Sequence, residues 1–134
     1  MRKMVSLWSF VLLFTTTLFA TELVWQKDTA TAFLEAKSQK KNVLLIMEAR
    51  HCKWCEKLHN ITLADKAVKK RLQKYILVMI LRSDKRAMKI LPESYYPAPT
   101  VFLMKPNKEI IENIIGYYEP EDFLRYLDEM EATE

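Results

Sequence analysis

With 134 residues, half of them apolar and 28% charged, the chain has material for one compact core and not for two. Its two cysteines are too few for the disulfide framework of a small secreted scaffold. The formal net charge of +4 hides an uneven spread, with 16 Lys/Arg against 8 Asp/Glu in residues 21–104 and 3 against 9 in residues 105–134.

Arg2 and Lys3, the apolar stretch from Met4 to Phe19 and the small residue Ala20 predict a secretory signal over residues 1–20, leaving a single domain over residues 21–134. Export places that domain in the periplasm or outside the cell, and Leu18, not small enough for an ideal cleavage site, leaves a membrane anchor as the alternative if the signal stays attached. Leu23 to Gln26 reads as a short edge strand. Asp28 or Thr29 caps a helix running to Lys41, with Ala30, Phe33, Leu34 and Ala36 inward and Asn42 as its break. Val43 to Met47 is a continuous apolar run, the pattern of a central strand buried on both faces.

A helix from Cys52 to His59 follows, falters at Asn60-Ile61-Thr62, and resumes after Asp65, as one kinked helix or two. In its second part Ala67, Val68, Arg71, Leu72 and Tyr75 form the inward stripe, and Lys66, Lys69, Lys70 and Lys74 a solvated face. That basic run carries no groove-reading motif and no interleaved aromatics, so no nucleic-acid partner is expected. Ile76 to Leu81 is a second buried strand, parallel to the first by the handedness of the crossover. A short helix from Lys85 to Leu91 stops at Pro92. Thr100 to Met104 and Glu109 to Ile115 flank Pro106-Asn107-Lys108 as an antiparallel hairpin, Gly116 follows, and Pro120 opens a last helix burying Phe123, Leu124, Leu127 and Met130.

Chemistry concentrates in His51-Cys52-Lys53-Trp54-Cys55-Glu56, where a strand ends and a helix begins. A thiol in the first turn of a helix faces unpaired backbone N–H groups and the positive end of the helix dipole, which favours its thiolate. The second thiol, one turn on, can close a disulfide. A bridge across so short a loop restrains the unfolded chain little, so the pair reads as redox-active and not as a staple. Metal binding is the rival class. His51, Cys52, Cys55 and His59 are four soft ligands, with Cys55 and His59 on one helix face, but adjacent His51 and Cys52 turn poorly toward one zinc or copper ion at a helix start. Covalent haem attachment needs a histidine where Glu56 stands, and no cofactor is expected.

The order of elements, Cys52-Lys53-Trp54-Cys55 between strand and helix, Ala98-Pro99-Thr100 before the next strand and Gly116 before the last helix together resemble the thioredoxin superfamily. Trp25, the Ala-rich first helix and KNVLLIMEA are similar to its exported members, in particular the carboxy-terminal domain of the transmembrane thiol–disulfide interchange reductase. The resemblance implies an α/β thioredoxin fold, a central mixed β-sheet flanked by helices. It implies an exposed attacking Cys52, a more buried resolving Cys55, and Pro99 as a cis-proline that leaves the backbone of Ala98 open to an extended substrate. Trp54 belongs to the docking surface.

The buried aspartate that thioredoxins keep in the strand before the dithiol is replaced by Ile46, and the lysine facing it by Ile80. Glu48, on the face of Ile46, is the candidate proton acceptor. Strong oxidants of this fold carry a histidine before the second cysteine; Trp54 stands there, which favours reduction of client disulfides over isomerisation or net oxidation. The partners implied are client proteins with disulfides or thiols and a membrane-bound or soluble thiol electron donor. Residues 21–134 leave no room for a dimerisation domain, so a monomer is expected.

Overall fold

The computed structural model describes residues 22–134. The expected signal, residues 1–20, lies outside the described residues. Five strands form one sheet in the order β1-β3-β2-β4-β5: β1 Trp25–Gln26, β2 Val43–Glu48, β3 Ile76–Leu81, β4 Thr100–Met104 and β5 Ile110–Ile115. β2 runs parallel to β3, Val43 beside Ile76 and Glu48 beside Leu81, and antiparallel to β4, with Met47 beside Thr100. All six residues of β2 are buried, which is why that stretch shows no polar alternation.

Side-chain parity divides the core in two. Leu45, Met47, Val78, Ile80, Phe102 and Met104 pack under Ala32, Phe33 and Ala36 of α1, Thr29–Gln39. Leu44, Ile46, Leu77, Val101 and Leu103 pack on the opposite face against Val68 and Leu72 of α3, Lys66–Leu72, and Phe123, Leu127 and Met130 of α4, Pro120–Ala132. Each fully buried aliphatic side chain there contributes about 1.5–3 kcal/mol of transfer free energy.

α1 is capped by Asp28, whose carboxylate accepts from the Thr31 N–H at 2.7 Å. The helix stops earlier than the break at Asn42 suggested, because Lys40 turns left-handed at φ 54°. Its inward face also differs. Ala32, Phe33 and Ala36 are buried, whereas Ala30 and Leu34 are exposed, Leu34 at 70%. The buried face centres on Ala36, with Ala32 about 40° and Phe33 about 60° from it, and Leu34 lies about 160° round the axis. The faltering helix resolves into α2, Lys53–Lys57, a wide π-helical turn over Leu58–Thr62, and α3, capped by Asp65 with hydrogen bonds from the N–H groups of Ala67 and Val68 at 2.9 and 3.0 Å. Ala67, expected inward, is exposed in that first turn, and Arg71 is half-buried because its guanidinium pairs with Asp128 at 2.7 Å and Glu131 at 2.9 Å on α4. The helix expected over 85–91 is a single 3-10 turn, Ala87–Ile90, ahead of Pro92. Gly116, at φ +100°, turns the chain from β5 toward α4, a conformation that L side chains rarely adopt.

Candidate functional site

Every element that builds the site ends or starts at one end of the sheet. β2 delivers Glu48 there, and the chain turns through His51, left-handed at φ 53°, into Cys52. Cys52 is the N-cap of α2, and the Cys55 N–H donates to its Sγ at 3.1 Å. The two cysteines are disulfide-bonded with Cα atoms 5.2 Å apart. Cys52 is half-exposed and Cys55 is 4% exposed. One sulfur is therefore reachable from solvent while the other is enclosed.

The second wall comes from the start of β4. The Ala98–Pro99 bond is cis, as the resemblance implied, and the Ala98 carbonyl oxygen lies 3.8 Å from Cys52 Sγ. This stretch is held from both sides. The Gly116 N–H donates to the Pro99 carbonyl at 2.8 Å, the Arg82 guanidinium donates to the Tyr96 carbonyl at 3.0 Å, and the Thr100 hydroxyl donates to the Pro97 carbonyl at 2.5 Å. Trp54, 46% exposed, stacks on Tyr117 with ring centroids 6.0 Å apart and planes 24° apart. Lys53 Nζ and Lys57 Nζ sit 5.1 and 5.2 Å from the Trp54 ring centre. Burial pushes the Tyr117 hydroxyl upward, and its contact with Glu119 adds to that, so it stays neutral.

Ile46 is fully buried in the apolar cluster beneath α3 and α4. Beside it across the sheet stands Met79, whereas Ile80 pairs with Met47 and belongs to the opposite cluster. No charged pair therefore occupies the place held by the aspartate and lysine of thioredoxins. Glu48, two residues on and on the same face as Ile46, is 9% exposed and hydrogen-bonds His59 Nε2 at 2.5 Å. His59 lies four residues after Cys55. From sequence Glu48 is a proton acceptor and His59 a metal ligand; the fold joins the two side chains. The one available signal was the four-residue spacing from Cys55. Tyr117 as the partner of Trp54 left no signal beyond its place after Gly116.

Among the described residues no group of three or more His, Cys, Asp or Glu side chains is placed to hold an ion; Cys52 and Cys55 are bonded to each other, and His59 is hydrogen-bonded to Glu48.

A closable pair of cysteines at the head of a helix, one reachable and one buried beside a cis-proline, on a five-stranded mixed sheet flanked by helices, defines a thiol–disulfide oxidoreductase of the thioredoxin type. The chain belongs to the thioredoxin-like family, whose domain model matches residues 29–131. No curated protein sequence matches it. Among solved structures it is similar to a thioredoxin from Thermus thermophilus, 18% identical, with a TM-score of 0.70 over 80% of this chain and 85% of that one. The oxidised carboxy-terminal domain of DsbD from Neisseria meningitidis is likewise 18% identical, with a TM-score of 0.61 over 75% of this chain and 90% of that domain. The reduced periplasmic thioredoxin SoxS from Paracoccus pantotrophus is 16% identical, with a TM-score of 0.57 over 69% of this chain and 98% of that one. These likenesses establish the fold.

Proposed function

We propose that the protein is an exported reductase of client-protein disulfides, with Cys52 as the attacking and Cys55 as the resolving sulfur. The carrying observation is the contrast between half-exposed Cys52, which caps α2 and faces the Ala98 carbonyl, and buried Cys55 behind it. In the reduced protein the Cys52 thiolate attacks a client disulfide, forming the Cys52–client bond and releasing one client thiolate. Cys55 then loses its proton and attacks Cys52 Sγ. The Cys52–Cys55 bond forms, the second client thiolate leaves, and two electrons have passed from dithiol to client. Ala98 and Pro99 dock the client backbone, and Trp54 offers an apolar face beside the mixed disulfide. Glu48, paired with His59, takes up the Cys55 proton. A membrane-bound or soluble thiol donor restores the dithiol, and the domain acts as a monomer.

One feature supports the reducing direction: Trp54 stands where strong oxidants keep a histidine that stabilises the reduced thiolate. Export rests on the signal-like residues 1–20.

Equilibration of the dithiol in glutathione or dithiothreitol buffers tests the direction. A potential near that of thioredoxin, about −270 mV, fits a reductase, and one near about −120 mV, the range of strong oxidants, overturns it. In the same system Cys55→Ser accumulates mixed disulfides and Cys52→Ser exchanges nothing. Glu48→Gln leaves the first attack unchanged and slows client release on the order of 100-fold at neutral pH. An unchanged release rate removes Glu48 from the mechanism.

A further inference from the structure

The dithiol end of the sheet carries two aromatic walls, each with cations laid against it. On the β5 side Trp54 and Tyr117 stack, with Lys57 Nζ 5.2 Å from one ring centre and 5.1 Å from the other, and Lys53 against Trp54. On the β3 side Arg82 follows the end of the strand and places its guanidinium 4.7 Å from the ring centre of Tyr95. Tyr95 is 64% exposed and stands three residues before Ala98. Because β2 lies between β3 and β4 in the sheet, Cys52 and the Ala98 carbonyl sit between these two walls. Beside Arg82 a cavity of about 460 Å³ opens, with Lys85 and Lys89 on its wall against Glu93.

Charge on this end is lopsided. Residues 48–57, 82–98 and 115–119 hold Arg50, Lys53, Lys57, Arg82, Lys85, Arg86 and Lys89 against Glu48, Glu56, Asp84, Glu93 and Glu119, and Glu48 is 9% exposed and engaged by His59. Asp84 is already occupied, accepting from the N–H groups of Arg86 and Ala87 at 3.0 Å each. Exposed aromatic rings flanked by ammonium and guanidinium groups, with few free carboxylates among them, favour a partner segment that brings carboxylates.

We propose that this end docks an extended, acidic segment of the client protein, its cysteine entering between the Trp54/Tyr117 wall bearing Lys53 and Lys57 and the Tyr95 wall bearing Arg82. The inference rests on the reductase reading above and adds the client class to it. An acidic flank on either side of the client cysteine meets a cation, and an apolar residue next to it lies on Trp54. Basic segments are repelled from both walls.

The test uses the reduced protein and three peptides of equal length. Each holds one cysteine capped as a mixed disulfide with 2-mercaptoethanol and flanked by Glu, Gln or Lys. The quantity read is the ratio of second-order rate constants for the Glu-flanked and Lys-flanked peptides, which cancels the intrinsic reactivity of Cys52. A ratio of about tenfold or more is expected at about 20 mM ionic strength, falling toward one at about 0.5 M. Lys57→Glu lowers the low-salt ratio at least about threefold, whereas Lys70→Glu, the same charge change on the exposed face of α3, leaves it within about 1.5-fold. A wild-type ratio near one, or an equal fall in both variants, overturns the docking surface while leaving the reductase reading intact. Failure to reduce any of the three peptides overturns both.

Discussion

Phe102 is fully buried at the centre of β4, and Tyr96 meets it edge-on, with ring centroids 5.0 Å apart and planes at 88°. Tyr96 stands two residues before Ala98, so this contact ties the wall of the site to the core. Phe102→Ala removes a whole ring from a closed layer and costs about 3–5 kcal/mol. With an unfolding entropy of about 2.1 cal/mol/K per residue over the folded domain, each kcal/mol lowers Tm by about 4 °C, so the drop is about 12–20 °C. The fold survives at low temperature if its stability lies in the usual range of about 5–15 kcal/mol. Tyr96→Ala and the double variant complete a cycle. Urea unfolding followed by tryptophan fluorescence then yields a coupling of about 0.5–1.5 kcal/mol for an edge-to-face pair. A coupling below about 0.3 kcal/mol refutes the argument that Phe102 anchors the Tyr96 stretch.

Glu131 links α4 to α3 through Tyr75, Arg71 and Lys74. Burial raises its pKa, but the hydrogen bonds from Tyr75 and Arg71 outweigh that and hold its carboxyl below the ordinary carboxylate range. A depressed folded value stabilises the protein above the unfolded value of about 4.3, and this is lost as pH falls through the folded value. Glu131→Gln therefore flattens the acid limb of a stability-versus-pH curve below about pH 4.3, and parallel curves contradict the assignment. Two backbone variants should move in opposite directions. Lys40→Gly relieves a left-handed residue at φ 54° and adds about 0.5–1 kcal/mol. Gly116→Ala meets nothing within 4 Å, so its loss of about 1–2 kcal/mol at φ +100° is purely conformational. Urea midpoints that shift the same way would contradict that reasoning.

The sheet was legible because β2, β3 and β4 are apolar runs bounded by polar turns, and β5, with Glu112 and Asn113 at its centre, follows β4 across a short hairpin turn. The hairpin was placed to within a residue, since Asn107 accepts from the Glu109 N–H at 3.0 Å and closes its turn. α1 misled for a local reason. Its apolar residues cover more than one face, so composition did not decide whether Leu34 or Ala32 turns inward. Ala67 misled differently: a small residue in the first turn of α3 fits the stripe by spacing, but the packing against α4 begins at Val68. At the site the cysteines and the cis bond were readable because the motifs are local. The Glu48–His59 pair spans 11 residues and the Trp54–Tyr117 stack 63, and only the three-dimensional path of the chain brings those partners together.

The direction of β1 fixes where the domain can be tethered. β1 runs parallel to β3, and β3 parallel to β2, so β1 begins at the end of the sheet away from Cys52. Glu22 is held there, its carbonyl accepting from Gln73 at 3.3 Å just ahead of β3. Glu134 reaches the same pole, where its carboxylate accepts from Asn42 at 3.0 Å at the foot of β2. A linker, a surface or a fused domain joined at either position thus starts from the base of the molecule and leaves the disulfide facing away from its anchor.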